Sequence, residues 1–86
     1  MIIYNIILSE LSQKFLKKSD AVLRKRIFDK LEKLSFQPIG SDTKKIIGRT
    51  NIYRVRVGKY RILYSVSNQE LVILVVDIDK RESVYQ

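Results

Sequence analysis

Tyr53-Arg54-Val55-Arg56-Val57-Gly58-Lys59-Tyr60-Arg61-Ile62-Leu63-Tyr64 is the stretch that decides the fold of this 86-residue chain. Apolar and polar residues alternate, the alternation breaks at Gly58-Lys59, and it then resumes. Two strands joined by a two-residue hairpin, with Gly at the first turn position, have this pattern. Such a turn fixes the register: Val57 faces Tyr60, Arg56 faces Arg61, Val55 faces Ile62, Arg54 faces Leu63 and Tyr53 faces Tyr64. Because side chains alternate between faces, Tyr53, Val55, Val57, Tyr60, Ile62 and Tyr64 fall on one side. Arg54, Arg56 and Arg61 fall together on the other.

Like charges directly opposite each other destabilise a sheet by about 0.2–1 kcal/mol. Three arginines kept on one short hairpin therefore point to an anionic ligand that offsets the repulsion. The alternative, in which arginine stems cover a solvated face with their heads in water, stays open at this point.

Composition narrows the partners and the chemistry. Seventeen Lys and Arg against nine Asp and Glu give a formal charge of +8 and a pI near 9.9. That excess points to nucleic acid, an anionic membrane surface or an acidic protein. The chain has no Cys, His or Trp, which excludes disulfides, the usual zinc sites and histidine acid–base catalysis. The absence of cysteine fits a reducing cytoplasm. The opening Met1-Ile2-Ile3-Tyr4-Asn5-Ile6-Ile7-Leu8 lacks a basic region and a small-residue cleavage site, and it is too short to span a bilayer. At this length residues 1–86 form a single domain.

In chain order, residues 2–8 read as a buried first strand. Ser9 is an N-cap for a short helix to about Ser19, with Leu11, Phe15 and Leu16 as its inner stripe and Lys14, Lys17 and Lys18 in water. Asp20 or Ser19 caps a second helix from Ala21 to about Ser35. There Leu23, Ile27, Leu31 and Leu34 make one apolar face, and the basic residues between them read as a solvated face. A loop holds the only Pro, and Lys44-Lys45-Ile46-Ile47-Gly48 reads as a short strand or a strand approach to the hairpin. After a turn at Ser67-Asn68-Gln69, the apolar run Leu71–Val76 reads as a strand central in the sheet or covered on both faces. The order β-α-α-β-β-β-β is an α+β layout: a mainly antiparallel twisted sheet with an N-terminal helical hairpin on one face.

These residues resemble the RelE/ParE superfamily of toxin–antitoxin toxins, more on the RelE side, over nearly the whole chain. The densest match is Tyr53–Tyr64. The apolar strand at 71–76 and the ending Lys80-Arg81-Glu82-Ser83-Val84-Tyr85 follow in order, and Lys45-Ile46-Ile47-Gly48 resembles the family's K-x-L-x-G approach. The resemblance implies a cytoplasmic, ribosome-dependent mRNA endoribonuclease that uses no metal or other cofactor. It also implies neutralisation by a RelB-like antitoxin. Cleavage in such enzymes proceeds by attack of the ribose 2′-hydroxyl on the scissile phosphate.

Carried over by motif position, Arg54 and Arg56 match the basic pair of the first hairpin strand, and Arg61 the arginine that stabilises the phosphate. Arg81 matches the C-terminal catalytic arginine, and Tyr85 the aromatic residue that stacks on a base. Tyr85 also has a reading as a C-terminal anchor on the sheet. The neighbouring Lys44, Lys45, Arg49 and Lys80 are expected to bind RNA. Two departures stand out. Some members have lysine where Arg54 and Arg56 stand, and an arginine does not readily give up its proton to act as a base. The common G-H-R before the final tyrosine reads Asp79-Lys80-Arg81 here, and Glu82 is either a substitute base or an ion-pair partner of Arg81. The alternatives are a ParE-like toxin that inhibits DNA gyrase and a non-catalytic module that binds RNA or its cognate partner.

Overall fold

The hairpin forms with the register its turn requires. In the computed structural model, which describes residues 2–46, 48 and 51–80, β3 (Ile52–Val57) pairs antiparallel with β4 (Tyr60–Ser67). Val57 faces Tyr60, Arg56 faces Arg61, Val55 faces Ile62, Arg54 faces Leu63 and Tyr53 faces Tyr64. Gly58 has φ +61°, the left-handed conformation that a two-residue hairpin turn needs and that glycine adopts without steric penalty.

Around this hairpin the chain adds β1 (Asn5–Leu8), α1 (Glu10–Lys18), α2 (Ala21–Phe36), β2 (Thr43–Lys45) and β5 (Val72–Lys80). The five strands lie in the order β1-β5-β4-β3-β2. Every pairing is antiparallel except β1 with β5. Ser9 caps α1 by accepting from the Ser12 N–H, and Asp20 caps α2 by accepting from the Leu23 N–H. Arg24 of α2 reaches back to the open end of α1, donating to the carbonyls of Leu16 at 3.0 Å and Ser19 at 2.6 Å. That contact satisfies helix-end acceptors and fixes the two helices relative to each other.

One core joins the helices to one face of the sheet. Leu16, Ile27, Leu31 and Leu34 pack against Val55, Val57, Ile62, Tyr64, Ile73, Val75 and Ile78. The other face carries Arg54, Arg56, Arg61 and Leu63, with Ile7 and Leu74 toward the β1 side.

Three expectations need correction. The first strand is Asn5–Leu8 rather than residues 2–8, and it is an edge strand with Ile7 about half exposed. A β-branched run has the same composition whether one face or both are buried, so burial was not readable from it. The strand at 71–76 does lie inside the sheet, between β1 and β4, but Leu74 on its outer face is exposed and the strand continues to Lys80. Finally, Leu11 is exposed while Ser12 is fully buried in its place.

Ser12 is inside because of an irregularity in β5. Leu63 pairs with Asp77 but Tyr64 pairs with Val75, so Val76 is skipped. The bulge shifts the alternation by one residue, and the buried residues of β5 are consequently Ile73, Val75 and Ile78. The start of α1 binds the carbonyls there. Ser9 N–H and Ser12 Oγ donate to Val75, at 3.0 and 3.1 Å, and Ser9 Oγ donates to Val76 at 2.7 Å.

Candidate functional site

The arginines of the hairpin meet on the sheet face that the helices leave uncovered. A cavity of about 100 Å³ is lined by Lys44, Arg54, Arg56 and Arg61, with Asp42 and Val55 completing the wall. Liquid water takes about 30 Å³ per molecule, so the space holds an anionic group of a few atoms. Sheet register places these cations. Lys44 lies opposite Arg54 across β2 and β3, and Arg56 lies opposite Arg61 across β3 and β4. The pair flanking a two-residue turn exchanges hydrogen bonds, so the next pair, Arg56 and Arg61, is of the closer kind, with Cα atoms about 4.5 Å apart. Arg54 and Arg61 are half-buried and Arg56 is exposed. Nη1 of Arg61 is shut off from solvent, a setting in which a cation acts on an anion with less screening than at the open surface.

Acidic residues bound the arginines on both sides. Asp79 lies opposite Arg61 on β5. Asp42, just before β2, is the only carboxylate among the described residues lining the cavity. Its side chain pairs with Lys30 of α2. The hydrogen bond from the Lys30 ammonium is the main cause that holds the Asp42 carboxyl below its usual pKa, so it is ionised at neutral pH.

The sequence-predicted site residues thus divide. Lys44, Arg54, Arg56 and Arg61 converge on one cavity. Lys45 lies opposite Tyr53, which places it on the other face of β2, and Lys80 ends β5 opposite Tyr60. Arg49, Arg81, Glu82 and Tyr85 lie outside the described residues.

Sequence reasoning missed Asp42, read only as loop, and Lys30, read as part of a solvated helix face. A signal was present in the sequence: Arg26, Lys30 and Lys33 are spaced four and three apart, one stripe of α2. The structure turns that stripe toward the hairpin side of the sheet. Lys30 reaches Asp42, and the Arg26 guanidinium lies over Gly58, where a Cβ would stand 3.1 and 3.2 Å from its terminal nitrogens.

Among the described residues there is no cluster of metal-ligating side chains, and no helix is long and apolar enough to cross a membrane. What the cavity offers is cationic binding of a phosphate-like group.

Comparison with known proteins gives the family. A family model described as the ParE toxin of the type II toxin–antitoxin system parDE matches residues 6–85. The RelE1 protein of Methanocaldococcus jannaschii is 34% identical over 65 residues, covering 72% of each sequence. Among solved structures, the RelE–RelB complex of Pyrococcus horikoshii contains a chain that superposes with a TM-score of 0.84 at 24% identity, covering 95% of this chain and 99% of that one. In the RelB–RelE antitoxin–toxin complex of Methanococcus jannaschii the TM-score is 0.72 at 31% identity, covering 93% and 95%. The chain belongs to the ParE/RelE family of type II toxin–antitoxin toxins.

Proposed function

We propose that this toxin is a RelE-like endoribonuclease that cuts mRNA on the ribosome, and that the cavity on the uncovered sheet face holds the scissile phosphate. The observation that carries this reading is the convergence of Lys44, Arg54, Arg56 and Arg61 on a space of phosphate size. In the reaction the 2′-hydroxyl gives up its proton as its oxygen attacks the adjacent phosphorus to form a 2′,3′-cyclic phosphate. The bond to the 5′-oxygen breaks, that oxygen takes up a proton to leave as a hydroxyl, and negative charge accumulates on the phosphoryl oxygens in between. Guanidinium forks fit such oxygens in pairs. Fixed cations aimed at a developing charge are commonly the largest catalytic contribution. The arginines remain protonated throughout, so they bind and stabilise the phosphate rather than accept the 2′-hydroxyl proton. Arg81 and Tyr85 complete the proposal as a further phosphate contact and a base-stacking aromatic.

A RelB-like antitoxin is the proposed protein partner. The related P. horikoshii and M. jannaschii structures are toxin–antitoxin complexes, and the net charge of +8 suits an acidic partner.

Inducible expression of the toxin alone, followed by primer extension on cellular mRNA, tests the activity. New cut sites within translated codons, absent when translation is blocked, are the expected result. The ParE description of the matching family model favours a second reading, inhibition of DNA gyrase. Growth arrest with intact mRNA and inhibited gyrase would establish that reading and overturn the first.

A further inference from the structure

Asp42 lines two spaces at once. On one side is the arginine cavity; on the other is a groove of about 390 Å³ between α2 and the approach to β2. The groove is walled by Lys30, Lys33, Leu34, Gln37, Gly40, Ser41 and Asp42. Its volume is several times that of the cavity, which gives room for a sugar and its phosphate. Two ammonium groups supply charge, while the Gln37 amide and the Ser41 hydroxyl offer hydrogen bonds of either sense. Lys30 and Lys33 lie one turn apart on α2 and share this face.

We propose that this groove is a second phosphate subsite, so that single-stranded RNA runs from the arginine cavity past Asp42 and sets its neighbouring phosphate between Lys30 and Lys33. The inference rests on the RNA-cleavage reading for its choice of ligand, but it is tested by binding alone. RNA is the occupant that fits both spaces, because each is lined by cations and Asp42 belongs to both walls, which suits a polyanion with regularly repeated phosphates. The Lys30–Asp42 pair stands where the two spaces meet. Asp42 is about half exposed while Lys30 is about one-fifth exposed, so water and a phosphate reach the pair from its carboxylate side, where a phosphate can compete with Asp42 for the ammonium. In the unliganded toxin Asp42 holds Lys30 in place; in the complex Lys30 turns to the RNA. The carboxylate then lies close to two phosphates and weakens binding by repulsion.

The test uses the purified toxin and a twelve-nucleotide, fully 2′-O-methylated RNA, which has no 2′-hydroxyl to attack, with affinity measured by fluorescence anisotropy across a salt series. Each phosphate contact on a single strand contributes about 0.7 to the slope of log affinity against log salt. The K30Q/K33Q variant is expected to lower that slope by about 0.7. K17Q/K18Q, which removes the same charge from the end of α1, should lower it distinctly less. D42N should bind several-fold more tightly than wild type, a gain that a misfolded variant would not give. Equal slopes for the two lysine pairs, or weaker binding by D42N, would overturn the subsite. Absence of mRNA cleavage in cells would overturn the enzymatic reading while leaving these slopes to decide the subsite.

Discussion

The Ser12 hydroxyl donates to the Val75 carbonyl across 3.1 Å, joining the first turn of α1 to the bulged strand β5. Ser12 is fully buried, and Val75 also accepts from the Ser9 N–H. Removing the hydroxyl therefore weakens the junction without orphaning the carbonyl. Ser12→Ala should lower stability by about 0.5–1.5 kcal/mol, the net worth of one hydrogen bond. Ser12→Leu, which forces a larger apolar side chain into this fully buried position, should lower it by about 1–3 kcal/mol by overpacking. Urea denaturation of both variants checks the order; a Leu variant as stable as wild type would show that the junction tolerates an apolar contact.

Gly58 and Arg26 test whether backbone conformation or contact governs the hairpin tip. A side chain at φ +61° is strained, by about 1–2 kcal/mol for ordinary residues. The groups that a new Cβ would meet are the far end of Arg26, which is flexible and exposed. Gly58→Ala should therefore destabilise by about 1–2 kcal/mol, Gly58→Asn by less, and adding Arg26→Ala should rescue little. Thermal melts of the two single variants and the double variant give the coupling. A substantial rescue by Arg26→Ala would make the guanidinium contact the dominant constraint.

The parts of this fold that were legible in the sequence are those set by local chemistry. The Gly58-Lys59 turn fixed which arginines share a face, and Ser9 and Asp20 announced both helix starts. The bulge at Val76 was not legible because an unbroken run of apolar residues contains no phase to violate. For the same reason the exposed side of β1 and β5 looked buried. At the site, the strand-borne cations were visible because alternation groups them. Asp42 and Lys30 were not, since their meeting depends on how α2 crosses the sheet, and no local spacing encodes a contact twelve residues apart across a loop.

Tyr64 gives a spectroscopic prediction. It is fully buried, stacks on Tyr53 and donates to the Pro38 carbonyl at 2.6 Å. Burial pushes its phenol up to about 12 from an ordinary value of 10.0. Between those values the folded state holds a proton that the unfolded state has lost. The Tyr64 contribution to stability is thus complete below pH 10 and is lost as pH rises toward 12. Absorbance titration near the phenolate band should show a late step, absent in Tyr64→Phe, and that variant should be less stable at neutral pH by about 1 kcal/mol. An unchanged titration curve for Tyr64→Phe would remove Tyr64 as the source of the late step.

Arg56 and Arg61 repel each other across the hairpin, which predicts opposite effects of one substitution on stability and on binding. Arg56 is exposed, so replacing it loses little packing. Arg56→Thr should stabilise the ligand-free toxin at low salt by about 0.2–1 kcal/mol, the range for like charges directly opposed on a sheet. The gain should shrink as salt shortens the screening length to a few Å. Millimolar inorganic phosphate should reverse the ranking. It stabilises whichever protein binds it, by an amount that grows with the ratio of ligand concentration to Kd, and wild type retains the fourth cation of the cavity. Melting curves of both proteins with and without phosphate measure the two effects together. A variant that is less stable than wild type without phosphate would mean that the arginine pair is compensated within the protein itself, and that the cavity does not need an anion to relieve it.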